Sequence, residues 1–92
     1  MKCSWMAAAV ITLFSSQSLL AADANFCDQY TKTSIKQQLS NITASCNQQG
    51  LRWSPLYAGQ NAWCRTVRKS VAANETKARN DALAKCDAPL SK

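Results

Sequence analysis

The chain has 92 residues, 11 Lys and Arg against 5 Asp and Glu, no His, and a net charge of +6 at pH 7. That length allows at most one small domain. The lack of histidine removes the commonest general base and both the Ser-His-Asp and the Cys-His arrangements.

The first residues read as a secretory leader. Lys2 supplies a positive start, Met6 to Phe14 is an apolar run interrupted by Thr12, and Ala22-x-Ala24 fits the small-residue cleavage rule. The expected organisation is a signal peptide over 1–24, cut after Ala24 or alternatively after Ala22, and a single helical domain over 25–92. The apolar run is shorter than the ~20 residues of a spanning helix. No lipid-attachment pattern precedes Cys27, because residues 24–26 are Ala-Asn-Phe. The expectation is therefore an exported product, periplasmic or extracellular, with no stable membrane anchor. Losing Lys2 and Asp23 with the leader leaves its charge at +6.

The spacing predicts a first helix over 26–47. Ile35, Leu39, Ile42 and Cys46 recur at the helical period and define its expected buried face. Phe26 and Tyr30 sit one turn apart near its start. Asn25 is the expected cap, with Asp28 near the positive end of the dipole. Asn47-Gln-Gln-Gly50 is the expected stop, since glycine commonly follows a helix end.

A second helix is predicted over 55–69, capped by Ser54 and opened by Pro55. Leu56, Gly59, Trp63 and Val67 share one face of it. Gly59 weakens a helix here, so two readings stay open. Either it admits a close neighbour, or the helix starts near Gln60. A third helix is predicted over 74–87, with Asn74 as cap and Glu75 favoured by the dipole. Glu75 with Arg79 and Asp81 with Lys85 have the spacing of i, i+4 pairs. Ala78, Ala82, Leu83 and Cys86 form its apolar side, and Pro89 ends it. Ser70 to Ala73 is a weak breaker, so the second and third helices could also be one bent helix. No stretch shows the alternation of a strand, so the fold class is all-α, a small three-helix bundle.

A core this small rarely supplies more than ~3–5 kcal/mol, and cysteines are the expected staples. Cys3 leaves with the leader; Cys27, Cys46, Cys64 and Cys86 remain, an even count that reads as two disulfides. In an up, down, up bundle Cys27 and Cys64 share the lower half, and Cys46 and Cys86 share the top. The preferred pairs are Cys27–Cys64 and Cys46–Cys86. Zinc is not expected, since successive cysteines are separated by 18, 17 and 21 residues rather than arranged in close pairs. A redox Cys-x-x-Cys is absent.

Other chemistry is sparse. The acids left after the leader, Asp28, Glu75, Asp81 and Asp87, give no sign of the paired carboxylates of a hydrolase. Two isolated glycines make no phosphate loop. No catalytic residue, metal or cofactor is expected. Residues 49–68 are the richest stretch for recognition, since Trp and Tyr give large contact area and Arg adds charge and stacking. Arg52, Trp53, Tyr57, Arg65 and Arg68 are the candidate binding residues. Trp63 reads as core instead, and Trp53 has a competing reading as a cover for the end of the bundle. The functional expectation is a non-catalytic exported cationic binding or interaction protein. Its partner would be a protein, a glycan or an anionic surface. The alternatives are a cationic membrane-acting peptide, a small enzyme inhibitor or a small hydrolase. No basic run points to nucleic acid. Asn41-Ile-Thr43 and Asn74-Glu-Thr76 match the glycosylation acceptor pattern.

Overall fold

A computed structural model describes residues 20–90. The leader expected over 1–24 lies mostly outside these residues. At its junction with the domain, the local chemistry selects Asp23 rather than Asn25 as the first cap. The Asp23 carboxylate accepts the Phe26 N–H at 2.8 Å and opens α1, Ala24–Thr43. The shorter step to Asp23 also lets Ala22 pack into the core, where its N–H donates to the Val67 carbonyl at 2.8 Å. Ala24, a candidate cleavage position, is thus the first residue of the helix. Asp23→Ala is expected to cost about 1 kcal/mol, the usual value of a lost N-cap. Chemical denaturation of the oxidised chain checks this.

α1 stops at Thr43, four residues before the expected end. The stop comes from Asn41. Its amide donates to the Gln48 carbonyl at 2.9 Å and its oxygen accepts the Gln48 N–H at 2.9 Å. This clamp folds the following loop back onto the helix. Ser45 and Asn47 take left-handed backbone angles within that loop. Gly50, at φ 110°, makes the turn that an L side chain resists. A 3-10 turn follows over Leu51–Trp53.

α2 runs Tyr57–Cys64, shorter than expected at both ends. The Ser54 hydroxyl accepts the Leu56 N–H at 3.2 Å, so it shapes the approach, while Leu56 occupies the cap position without a side-chain bond. α3 runs Lys69–Ala84. It therefore includes Ser70 to Ala73 and places Asn74 and Glu75 inside the helix, not at its start. α2 and α3 are separate helices, divided by a turn over Arg65–Arg68 that Thr66 closes by bonding back to the Trp63 carbonyl at 2.7 Å. No strand occurs among the described residues.

α1 packs against both other helices. The expected pairing of cysteines is realised: Cys27 and Cys64 join with Cα atoms 5.6 Å apart, and Cys46 and Cys86 with Cα atoms 5.8 Å apart. The start of α1 thus meets the end of α2, and the chain just past α1 meets the chain just past α3. Each bond anchors one apolar cluster. Cys27 and Cys64 sit with Ala22, Tyr30 and Ala72, while Cys46 and Cys86 border Trp53, Leu83 and Ala88.

The expected buried face of α1 is corrected. Leu39 and Ile42 are 59% and 61% exposed, whereas Thr31, Ser34, Gln37 and Asn41 are buried. The cause is Arg79 on α3, only 1% exposed. A buried guanidinium must be met by acceptors; α1 supplies two of them, and α2 and the 3-10 turn supply the others. Arg79 donates to Gln37 Oε1 at 3.3 Å, to the Tyr30 hydroxyl at 2.5 Å, to Gln60 Oε1 at 3.3 Å and to the Arg52 carbonyl at 2.8 Å. It also lies 5.1 Å from the centre of the Tyr30 ring. Arg79 links the two apolar clusters, since Tyr30 belongs to one and Arg52 adjoins Trp53 of the other.

Candidate functional site

The 3-10 turn, α2 and α3 enclose an open groove of about 620 Å³. Leu51, Leu56 and Trp63 form its apolar walls, and Arg52, Ser54, Gln60 and Glu75 are polar residues along it. Tyr30 and Arg79 lie at its base, where burial leaves them 4% and 1% exposed. The geometry follows from the short α2. Pro55 and the extended Leu56 bring the chain out of the 3-10 turn, and α2 then presents Gly59, Gln60 and Trp63 to the same space.

Trp63 is 37% exposed, not core as its spacing suggested. Gln60 and Cys64 take the buried side of α2 instead. Gln60 is held in place by donating to the Ser54 carbonyl at 3.0 Å and accepting from Arg79. The Trp63 ring packs at a tilt against Tyr30, with centroids 5.7 Å apart. Leu56, expected on the buried face with Trp63, is 67% exposed, and Leu51 is 92% exposed. Gly59 admits no close neighbour: a Cβ there would meet nothing within 4 Å, so its missing side chain leaves the groove open.

Charge at the rim is paired. Arg52 grips Glu75 with two parallel bonds, Nε to Oε2 at 2.9 Å and Nη2 to Oε1 at 2.9 Å. This replaces the expected pairing of Glu75 with Arg79, because Arg79 turns into the core. Likewise Asp81 pairs with Lys77 at 3.0 Å, not with Lys85.

The five sequence candidates divide. Arg52 lines the groove. Trp53 is 5% exposed and packs with Leu83 and Ala88 as a cover for the bundle. Tyr57 is half exposed, but its hydroxyl donates to Asp28 at 2.5 Å and ties α2 to α1. Arg65 and Arg68 are exposed and lie outside the groove lining. Two residues outside the sequence candidates, Gln60 and Arg79, hold the groove: Gln60 adjoins the expected apolar face of α2 without belonging to it, and Arg79 has the spacing of a surface pair with Glu75. No local signal marks them.

The Tyr57–Asp28 bond shifts both groups. The tyrosine hydroxyl and then Lys32, 2.9 Å away, hold the Asp28 carboxyl below its ordinary value, and the carboxylate raises Tyr57. A depressed carboxyl stabilises above its unfolded value and loses that contribution as pH falls through the folded one. A raised phenol stabilises below its unfolded value and loses it as pH rises through the folded one. The contact is thus intact at neutral pH and fails at both extremes. Spectrophotometric titration should place the Tyr57 transition above the ordinary 10.0. Asp28→Asn should bring it back down.

The two acceptor sequons also differ. Asn41 is buried with its amide engaged by Gln38 and Gln48, so the folded chain does not offer it. Asn74 is exposed in the middle of α3. Among the described residues no group of three or more His, Cys, Asp and Glu is placed to hold a metal ion, and no helix is long and apolar enough to cross a membrane. No family model, curated protein or solved structure matches the chain.

Proposed function

We propose that this chain is a non-catalytic, exported binding protein that holds its ligand in the groove bounded by the 3-10 turn, α2 and α3. The observation that carries the reading is the groove itself. Its volume of about 620 Å³ lies within the usual range for ligand sites. Its walls are apolar and it includes a few convergent polar groups, the composition expected of a recognition site. Two disulfides support export, since such bonds persist in oxidising compartments. The apolar run and small residues before Asp23 support a leader.

Gly59 supplies the test. Gly59→Leu inserts a side chain into open space on a helix, which favours folding while filling the groove. A panel of short peptides and oligosaccharides is followed by the amide spectrum of the oxidised chain. At least one compound is expected to shift Gln60 and Trp63 in the native chain and to leave Gly59→Leu unmoved. Binding that is unchanged in the folded Gly59→Leu chain would place recognition elsewhere.

A second reading, attachment to an anionic membrane surface, draws on one observation. Leu39 and Ile42 are exposed on α1 near the exposed Lys32 and Lys36. Apolar and basic groups side by side suit a lipid surface. Cosedimentation with anionic vesicles, lost in Leu39→Gln/Ile42→Gln, would favour it.

A further inference from the structure

The ligand class follows from an imbalance of charge, on the reading that the groove is the binding site. Arg52, Glu75 and Arg79 line it, two cations and one anion. Arg52 and Glu75 neutralise one another. Arg79 has only neutral acceptors, two side-chain amides, a phenol and a carbonyl, and none of the described ion pairs includes it. An arginine stays charged when buried. Its field extends further through protein than through water, so the groove carries a standing positive potential beneath apolar walls.

The structure also displays how a carboxylate sits there. Glu75 lies at the groove with both oxygens on the Arg52 fork. Arg and carboxylate match in this two-bond geometry better than Arg with most other acceptors. The fork is half exposed, so an incoming carboxylate can reach it. We infer that the groove binds a carboxylate borne on an apolar or aromatic body. The ligand carboxylate replaces Glu75 on Arg52, over the buried Arg79, and the body lies against Leu51, Leu56 and Trp63. The chain's net charge of +6 draws such a ligand in. Two sources share this chemistry, a free aromatic acid and the C-terminal residue of a peptide.

The experiment follows the Trp63 indole N–H signal of the oxidised chain during titration. The probes are N-acetylphenylalanine, its primary amide, and an acetylated tripeptide ending in phenylalanine as free acid and as amide. Each acid is expected to bind about tenfold tighter than its amide, the size of a single charge-assisted contact. Glu75→Gln removes the internal competitor. It should tighten the acids about fivefold and leave the amides unchanged, because only the acids compete for Arg52. Arg52→Gln should erase the preference for acid over amide. A tripeptide acid that binds tighter than the free amino acid assigns the source to a peptide terminus, and the reverse assigns it to small acids. Acid and amide binding equally, with both lost in Gly59→Leu, would overturn the carboxylate assignment and leave the groove as the binding site. No movement of Trp63 with any probe would overturn the inference, while the wider panel decides the groove separately.

Discussion

Arg79→Ala is expected to be the most damaging single substitution in this domain outside the cysteines, lowering stability by about 3–5 kcal/mol. Two effects combine. Alanine leaves a cavity where a side chain 1% exposed had filled the centre. It also strips a donor from Gln37, Gln60, Tyr30 and the Arg52 carbonyl at once. Each buried acceptor left without a partner costs roughly 1–3 kcal/mol before relaxation. A domain of this size has little more than that to lose. Arg79→Lys keeps the charge but not the planar fork, so it should fall between alanine and the native chain. Arg65→Ala and Arg68→Ala, at exposed positions, should stay within about 0.5 kcal/mol of native. Guanidinium denaturation of the oxidised chains measures all four. Arg79→Ala falling with the exposed pair would show that the polar centre contributes nothing net.

Loss of the disulfides should have a comparable effect, and the two bonds should differ in access rather than in worth. They close segments of 37 and 40 residues, so the restriction each places on the unfolded chain is nearly the same. Each double substitution to alanine is expected to cost about 2–5 kcal/mol, and removal of both to leave no cooperative transition. Access separates them. Cys27 and Cys64 are fully buried, while Cys46 and Cys86 are half-buried beside the loop that Asn41 clamps. Thiol exchange needs a path to sulfur. Mild reductant should therefore open Cys46–Cys86 first, read by alkylation and mass spectrometry. Cys27–Cys64 opening first would show that unfolding of the whole domain, not local access, limits reduction. Pulling Asn41 out of its clamp, as in Asn41→Ala, should speed opening of the outer bond further.

These two results rest on features with different visibility. The cysteines could be read directly. Their even number, their wide spacing and an up, down, up order of helices leave little choice of partner, because a disulfide needs Cα atoms within ~7 Å. The helical class was equally legible, but the separation of the second and third helices was not, because the break falls at Arg65–Arg68 and not at the weak breaker Ser70 to Ala73. Local chemistry placed their ends less well. Asp23 took the cap that Asn25 offered, and Asn41 ended α1 by bonding to a loop seven residues on. Such bonds depend on where the chain returns.

What the sequence determined by itself is the set of staples and the all-helical class, since both follow from residue type and spacing along the chain. What the tertiary structure alone decided is which face of α1 and of α2 is inside; the expected apolar side of α3 does face inward, with Leu83 buried and Ala82 packed beside it. Apolar periodicity assumes an apolar centre. Here a single arginine, set between two disulfide-anchored clusters, occupies that centre. It turns Gln37 and Gln60 inward and leaves Leu39, Ile42, Leu56 and Trp63 toward solvent. The groove is a product of the same inversion. Its walls are apolar residues displaced from the core, and its charge comes from the cation that displaced them.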